Sequence, residues 1–121
     1  MMKILTADDS TTMRQMLVAL LQNAGYEVFQ AEDGQQALLQ VQKIQFDLIL
    51  SDVNMPNISG IELVKALRKL PNYRHIPILM LTTEISPDTK MQCKTAGATG
   101  WLEKPFSPEQ LLKIINKILG N

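Results

Sequence analysis

Five short apolar runs punctuate the chain: Lys3 to Ala7, Tyr26 to Ala31, Phe46 to Ser51, Pro77 to Thr82 and Gly100 to Glu103. Each has the length of a strand. Phe46 to Leu50 is nearly continuous in its hydrophobicity, which predicts a strand covered on both faces. Between the runs the spacing turns helical. Met13, Met16, Leu17, Leu20 and Leu21 follow the i, i+3, i+4, i+7, i+8 pattern, with Gly25 placed as a stop just beyond. Ala37, Leu38 and Val41 mark a second helix opening near Asp33, and Ile61, Val64 and Leu67 a third opening after Ser59. Ser86-Pro87 and Ser107-Pro108 each pair a capping serine with a proline suited to the first helical turn. The last helix carries the strongest stripe: Leu111, Leu112, Ile115, Ile118 and Leu119. The helix near 88 to 96 offers only Met91, Cys93 and Ala96, so it is expected to pack least tightly.

Strand and helix alternating five times predict a parallel sheet with right-handed crossovers and helices on both faces. A length of 121 residues fits one domain, and the last helix runs almost to Asn121, so one unit over 1–121 with no output domain is expected. Twelve basic residues balance twelve acidic ones, which lacks the basic footprint of a nucleic-acid binder. The single cysteine, Cys93, has no partner for an internal disulfide and reads as packing. No window approaches eighteen apolar residues and no signal segment opens the chain, so a soluble, cytoplasmic protein without membrane insertion is expected.

The predicted strands bring four polar motifs to one edge of the sheet, the carboxyl edge where ligands gather in open α/β folds. Asp8-Asp9 ends the first strand, Asp52 the third and Thr82-Thr83-Glu84 the fourth, while Lys104-Pro105-Phe106 follows the fifth. Three carboxylates at one edge repel one another and call for a cation; hard oxygen ligands with open positions suit Mg²⁺. Taken singly each motif has an ordinary alternative. Asp8 or Asp9 can cap the first helix, Asp52 can be a solvated loop residue, and Lys104 a surface charge. The joint spacing carries the weight.

With Asp8-Asp9-Ser10, Asp52-Val53-Asn54-Met55-Pro56 with Gly60, Thr82, Ala96-Gly97-Ala98 and Lys104-Pro105-Phe106 in place, the chain resembles the receiver domains of two-component response regulators over essentially its whole length, the single-domain chemotaxis type above all. The resemblance implies a flavodoxin-like (βα)5 three-layer sandwich of strand order 2-1-3-4-5. It implies that Asp52 accepts a phosphoryl group from a histidine kinase. Asp9, Asp52 and the Asn54 main-chain carbonyl would hold Mg²⁺, with Asp8 reaching it through water, while Thr82 and Lys104 would bond the phosphoryl oxygens. Asn54 and Glu84 would tune dephosphorylation. Trp101 stands where the family carries its switch aromatic, usually Tyr or Phe, and Val53 replaces a tryptophan of the best-known chemotaxis form. The implied partner is a downstream protein, such as the flagellar motor switch, on the face of the fourth helix, fifth strand and fifth helix near Lys90, Lys94, Trp101, Lys113 and Lys117. The protein is expected to be a monomer, and not an enzyme beyond phosphorylating itself from small donors and dephosphorylating itself. A stand-alone relay intermediate or a fragment of a longer regulator would carry the same motifs. A dehalogenase-type phosphatase fits less well, because Asp52-Val53-Asn54 lacks the second acid. A flavin module fits less well too, because Asp8-Asp9 would repel its phosphate.

Overall fold

Strand and helix alternate in the computed structural model, which describes residues 1–83 and 86–120. The elements are β1 (Lys3–Ala7), α1 (Thr11–Asn23), β2 (Glu27–Ala31), α2 (Gly34–Val41), β3 (Leu48–Asp52), α3 (Gly60–Arg68), a 3₁₀ turn (Pro71–Tyr73), β4 (Ile78–Thr82), α4 (Pro87–Ala96), β5 (Gly100–Glu103) and α5 (Pro108–Leu119). The strands form one parallel sheet of order β2-β1-β3-β4-β5, the flavodoxin-like order expected. Alternation along the buried strands feeds two cores. Ile4, Leu48, Leu50, Leu79 and Leu81 meet Leu17, Leu21, Leu111 and Ile115 of α1 and α5. Leu5, Ile49, Ile78 and Met80 meet Ala37, Val41, Leu63, Val64, Leu67, Cys93 and Ala96 of α2, α3 and α4. The chain therefore folds as three layers.

Side-chain caps start all five helices. Ser10, Asp33, Ser59, Ser86 and Ser107 each accept from the backbone N–H three residues on, and Ser59 and Ser107 complete capping boxes with Glu62 and Gln110. Ser10, and neither Asp8 nor Asp9, caps α1.

The structure moves several predicted positions. Phe46 is fully buried but precedes β3, which starts at Leu48. Its N–H donates to the Tyr73 hydroxyl at 3.1 Å, which in turn donates to the Ile44 carbonyl at 2.9 Å. Side-chain partners thus replace the sheet ladder. Tyr26 and Pro77 likewise stand just outside β2 and β4. On α1 the buried face carries Arg14, Leu17 and Leu21, while Met16 is exposed. On α4 only Cys93 and Ala96 are buried and Met91 is exposed, in line with its sparse stripe.

Candidate functional site

Asp8 follows the last residue of β1, and Asp52 is the last residue of β3, the neighbouring strand. In an α/β sheet of this order, the crevice where chain direction switches outward lies between these two strands. The Asp8 side chain is 2% exposed and both of its oxygens are engaged. Oδ1 accepts from the Ser10 N–H at 2.9 Å and Oδ2 from Lys104 Nζ at 3.0 Å. Asp9 is exposed. Lys104 follows β5, its N–H donating to the Thr82 carbonyl at 2.8 Å, and the peptide to Pro105 is cis. Its ammonium lies 3.6 Å from Asp52 Oδ1, and its side chain is only 12% exposed. One cation thus bridges two carboxylates from two strands.

Carboxylate oxygens of Asp8, Asp9 and Asp52 lie within 4.8 Å of one another. An all-oxygen, anionic set with one exposed member fits a hard divalent ion that keeps several waters. The electrostatics agree. Burial raises the pKa of Asp52 above its ordinary 3.8; Lys104 pulls it down, Asp8 pushes it up, and the Val53 and Asn54 backbone N–H groups pull it down. The net rise means that the charge on Asp52 is under-compensated by the protein's own groups.

Beneath the carboxylates the backbone is crowded. The Gly60 N–H donates to the Val53 carbonyl at 2.8 Å, which folds the 53–59 loop back under the strand end. A Cβ on Gly60 would stand 2.0 Å from the Asp52 carbonyl oxygen, so α3 can begin here only with glycine. Beside the acids, Asn54, Ser59, Thr82, Ser86, Thr89 and Gln92 help line a pocket of about 410 Å³ between the 53–59 loop and the start of α4. Thr82 is buried at the end of β4 and reaches this pocket; Asn54 is exposed at its rim.

The fold therefore brings Asp8, Asp9, Asp52 and Lys104 into one cluster, with Thr82 and Asn54 at the adjoining pocket. Trp101 lies apart on β5, half-buried opposite Met80 and packed against the α2–α4 side of the core. Glu84 lies outside the described residues. Sequence reasoning missed Arg14, a guanidinium 8% exposed whose Nη1 donates to the Asp8 carbonyl at 2.6 Å. Its signal was its spacing: Arg14, Leu17 and Leu21 share one helical face.

Residues 4–116 match the response regulator receiver domain family. The chemotaxis protein CheY of Pseudomonas aeruginosa is 38% identical over 118 residues, covering 97% of this chain and 95% of that protein. The solved structure of Vibrio cholerae chemotaxis protein CheY4 superposes with a TM-score of 0.95 at 55% identity, covering 98% of this chain and 99% of that one. The receiver domain of a sensor histidine kinase from Pseudomonas aeruginosa, described with a magnesium ion coordinated in its active site cleft, superposes at 0.92 with 29% identity, covering 99% of this chain and 98% of that one.

Proposed function

The chain belongs to the response regulator receiver domain family of two-component signalling, and from that premise we propose that it is a chemotaxis-type switch in which Asp52 accepts a phosphoryl group from a histidine kinase. The observation that carries this reading is the convergence of Asp8, Asp9 and Asp52 within 4.8 Å under a lysine that touches two of them. Such a site is built to present one carboxylate to an anionic donor.

Asp9, Asp52 and the Asn54 carbonyl would hold Mg²⁺, with Asp8 behind them. The ion supplies charge neutralisation for the incoming phosphoryl group. An oxygen of Asp52 attacks phosphorus as the bond to the donor nitrogen breaks, and the histidine, already protonated on its other ring nitrogen, leaves as neutral imidazole. The transition state is loose, so the protein's task is position and charge more than covalent assistance. Lys104, already hydrogen-bonding at this edge, is within reach of the new phosphoryl oxygens; the Thr82 hydroxyl, at the pocket wall, takes another. Drawing Thr82 inward would bias the loop between β4 and α4 and alter the surface near Lys90, Lys94, Trp101, Lys113 and Lys117. We assign that surface to a downstream target such as a flagellar motor switch, and place the protein in the cytoplasm as a monomeric receiver spanning 1–121.

Mass spectrometry after incubation with acetyl phosphate and Mg²⁺ tests the reading. One phosphoryl group is expected on Asp52, and none on Asp52→Asn under matched conditions. Label that persists in the variant overturns the site. A phosphoryl lifetime of seconds to a few minutes is expected of a chemotaxis switch carrying Asn54 and Glu84. A lifetime of hours would favour a storage or relay role instead.

A further inference from the structure

We propose that Arg14 is a positioning residue for the metal pocket: by holding the Asp8 carbonyl it fixes the peptide that joins Asp8 to Asp9, and thereby sets the affinity for Mg²⁺. The inference rests on the metal-binding reading above and extends it to a residue on the buried face of α1.

Arg14 is a costly residue to bury there. Its side chain is 8% exposed, and its nearest carboxylate, Glu32, is 3.9 Å away on a side chain that is 67% exposed. A pair so open to water contributes little. If α1 needed only to fill the core at this position, an apolar side chain between Met13 and Leu17 would do so without removing a charge from water. The hydrogen bonds show where the guanidinium is spent. The short contact is Nη1 to the Asp8 carbonyl at 2.6 Å, whereas Nε to Gln30 Oε1 and Nη2 to Thr11 Oγ1 are both 3.3 Å. The two longer bonds steady the planar fork; the short one fastens the turn after β1.

That turn has few other restraints. The Asp8 N–H donates to the Ala31 carbonyl at 3.1 Å, and the Asp8 carboxylate is taken by Ser10 and Lys104. The Asp8 carbonyl defines the plane of the next peptide, and with it the direction in which Asp9 leaves the backbone. Asp9 is exposed and caps no helix. Without Arg14 the Asp8–Asp9 peptide can rotate, and three like charges within 4.8 Å favour rotation that separates them. The ion then has to draw Asp9 back. Groups outside the ligand shell that orient ligands in this way typically alter metal affinity 10- to 100-fold.

The test is calorimetric titration with Mg²⁺ alone at fixed ionic strength, beside the melting temperature in EDTA. For Arg14→Met we expect affinity to fall about tenfold, while the metal-free melting temperature stays within a few degrees. A purely structural arginine would move the second quantity and not the first. A folded Arg14→Met with the affinity of the unaltered chain overturns the proposal. Should that variant fail to fold, Arg14→Lys and Gln30→Ala decide. Lysine keeps the charge but lacks the fork, and Gln30→Ala removes one of its supports at an exposed side chain. Weaker binding in both supports the proposal, and unaltered binding in both overturns it. If the unaltered protein binds no Mg²⁺, and Asp9→Ala matches it, the metal-binding reading falls and this inference with it. Binding that depends on Asp9 but not on Arg14 overturns this inference alone.

Discussion

The carboxylate of Asp52 sits among opposing influences, and burial prevails over Lys104, so its pKa lies above 3.8. A carboxylate whose folded pKa exceeds its unfolded value binds its proton more tightly in the native state. Stability therefore falls as pH rises from the ordinary aspartate range through the folded pKa. Asp52→Asn removes this charge from beside Asp8 and Asp9, while Lys104 keeps its bond to Asp8. The variant should melt a few degrees higher than the parent at neutral pH in EDTA, with the gap closing as both approach pH 4. Calorimetry across pH checks it; a lower melting temperature at neutral pH would mean that the Lys104 pair outweighs burial. Asp8, Asp9, Asp52 and Lys104 were legible in the sequence because strand ends are legible, and the topology sends strand ends to one edge. Arg14 was not, since its charge masks its place on an apolar stripe until burial is known. The crowding at Gly60 was also hidden, because close approach of two backbones leaves no trace in hydropathy.

Among the elements, α3 is the one most tightly tied to the site. Its first residue stands against the Asp52 carbonyl, its cap is Ser59, and its far end carries Arg68. Gly60→Ala would drive a methyl into that carbonyl, with no flexible side chain able to yield. We expect a loss of about 3 kcal/mol in urea denaturation and weaker Mg²⁺ binding; a loss below ~1 kcal/mol would show that the 53–59 loop yields freely. At the other end, the Arg68 guanidinium donates to three backbone carbonyls: Gly97 at 2.9 Å, Tyr73 at 2.6 Å and Ile76 at 2.7 Å. It thereby ties the end of α3 to the end of α4, where Gly97 turns left-handed at φ 107°. Arg68→Met should cost about 2 kcal/mol and speed amide exchange chiefly around residues 97–99. Uniform exchange across the domain would refute a local tie. The helices and their starts were predictable because serine and proline punctuate them. The 3₁₀ turn at Pro71–Tyr73 was not, because it is held by side-chain bonds that hydropathy does not register: Arg68 to the Tyr73 carbonyl nearby, and the buried Tyr73 hydroxyl to the distant Ile44 carbonyl.

At the scale of the whole molecule, charge is sorted by helix direction in α3, α4 and α5, whereas α1 and α2 carry no such charges in their end turns. Glu62, Asp88 and Glu109 lie in first turns, and Lys65, Arg68, Lys94 and Lys117 in last turns, each favourable to its helix dipole. In a parallel α/β sandwich the helix starts gather at the edge where the strands end. On these three helices the acidic residues thus lie toward the site edge and the basic ones toward the opposite edge, although the net charge is zero. Such a field attracts a divalent cation and opposes an anionic donor until that cation is bound. Beyond this edge lies the question of how the site reaches the surface. Thr82 pairs with Glu103, and its carbonyl accepts from the Lys104 N–H, so the two residues proposed to bind the phosphoryl group flank the end of the strand that carries Trp101. Trp101 is half-buried against the α2–α4 side of the core, so part of its surface remains open to solvent. An indole is larger than a phenol, and its N–H donates without accepting, so deeper burial needs both space and an acceptor. As the only tryptophan in the chain, it reports alone. Beryllofluoride with Mg²⁺ should shift its emission to shorter wavelength and reduce acrylamide quenching, and Thr82→Ala should blunt both. If emission stays constant while the target still binds more tightly, coupling runs through the β4–α4 loop and not through the aromatic.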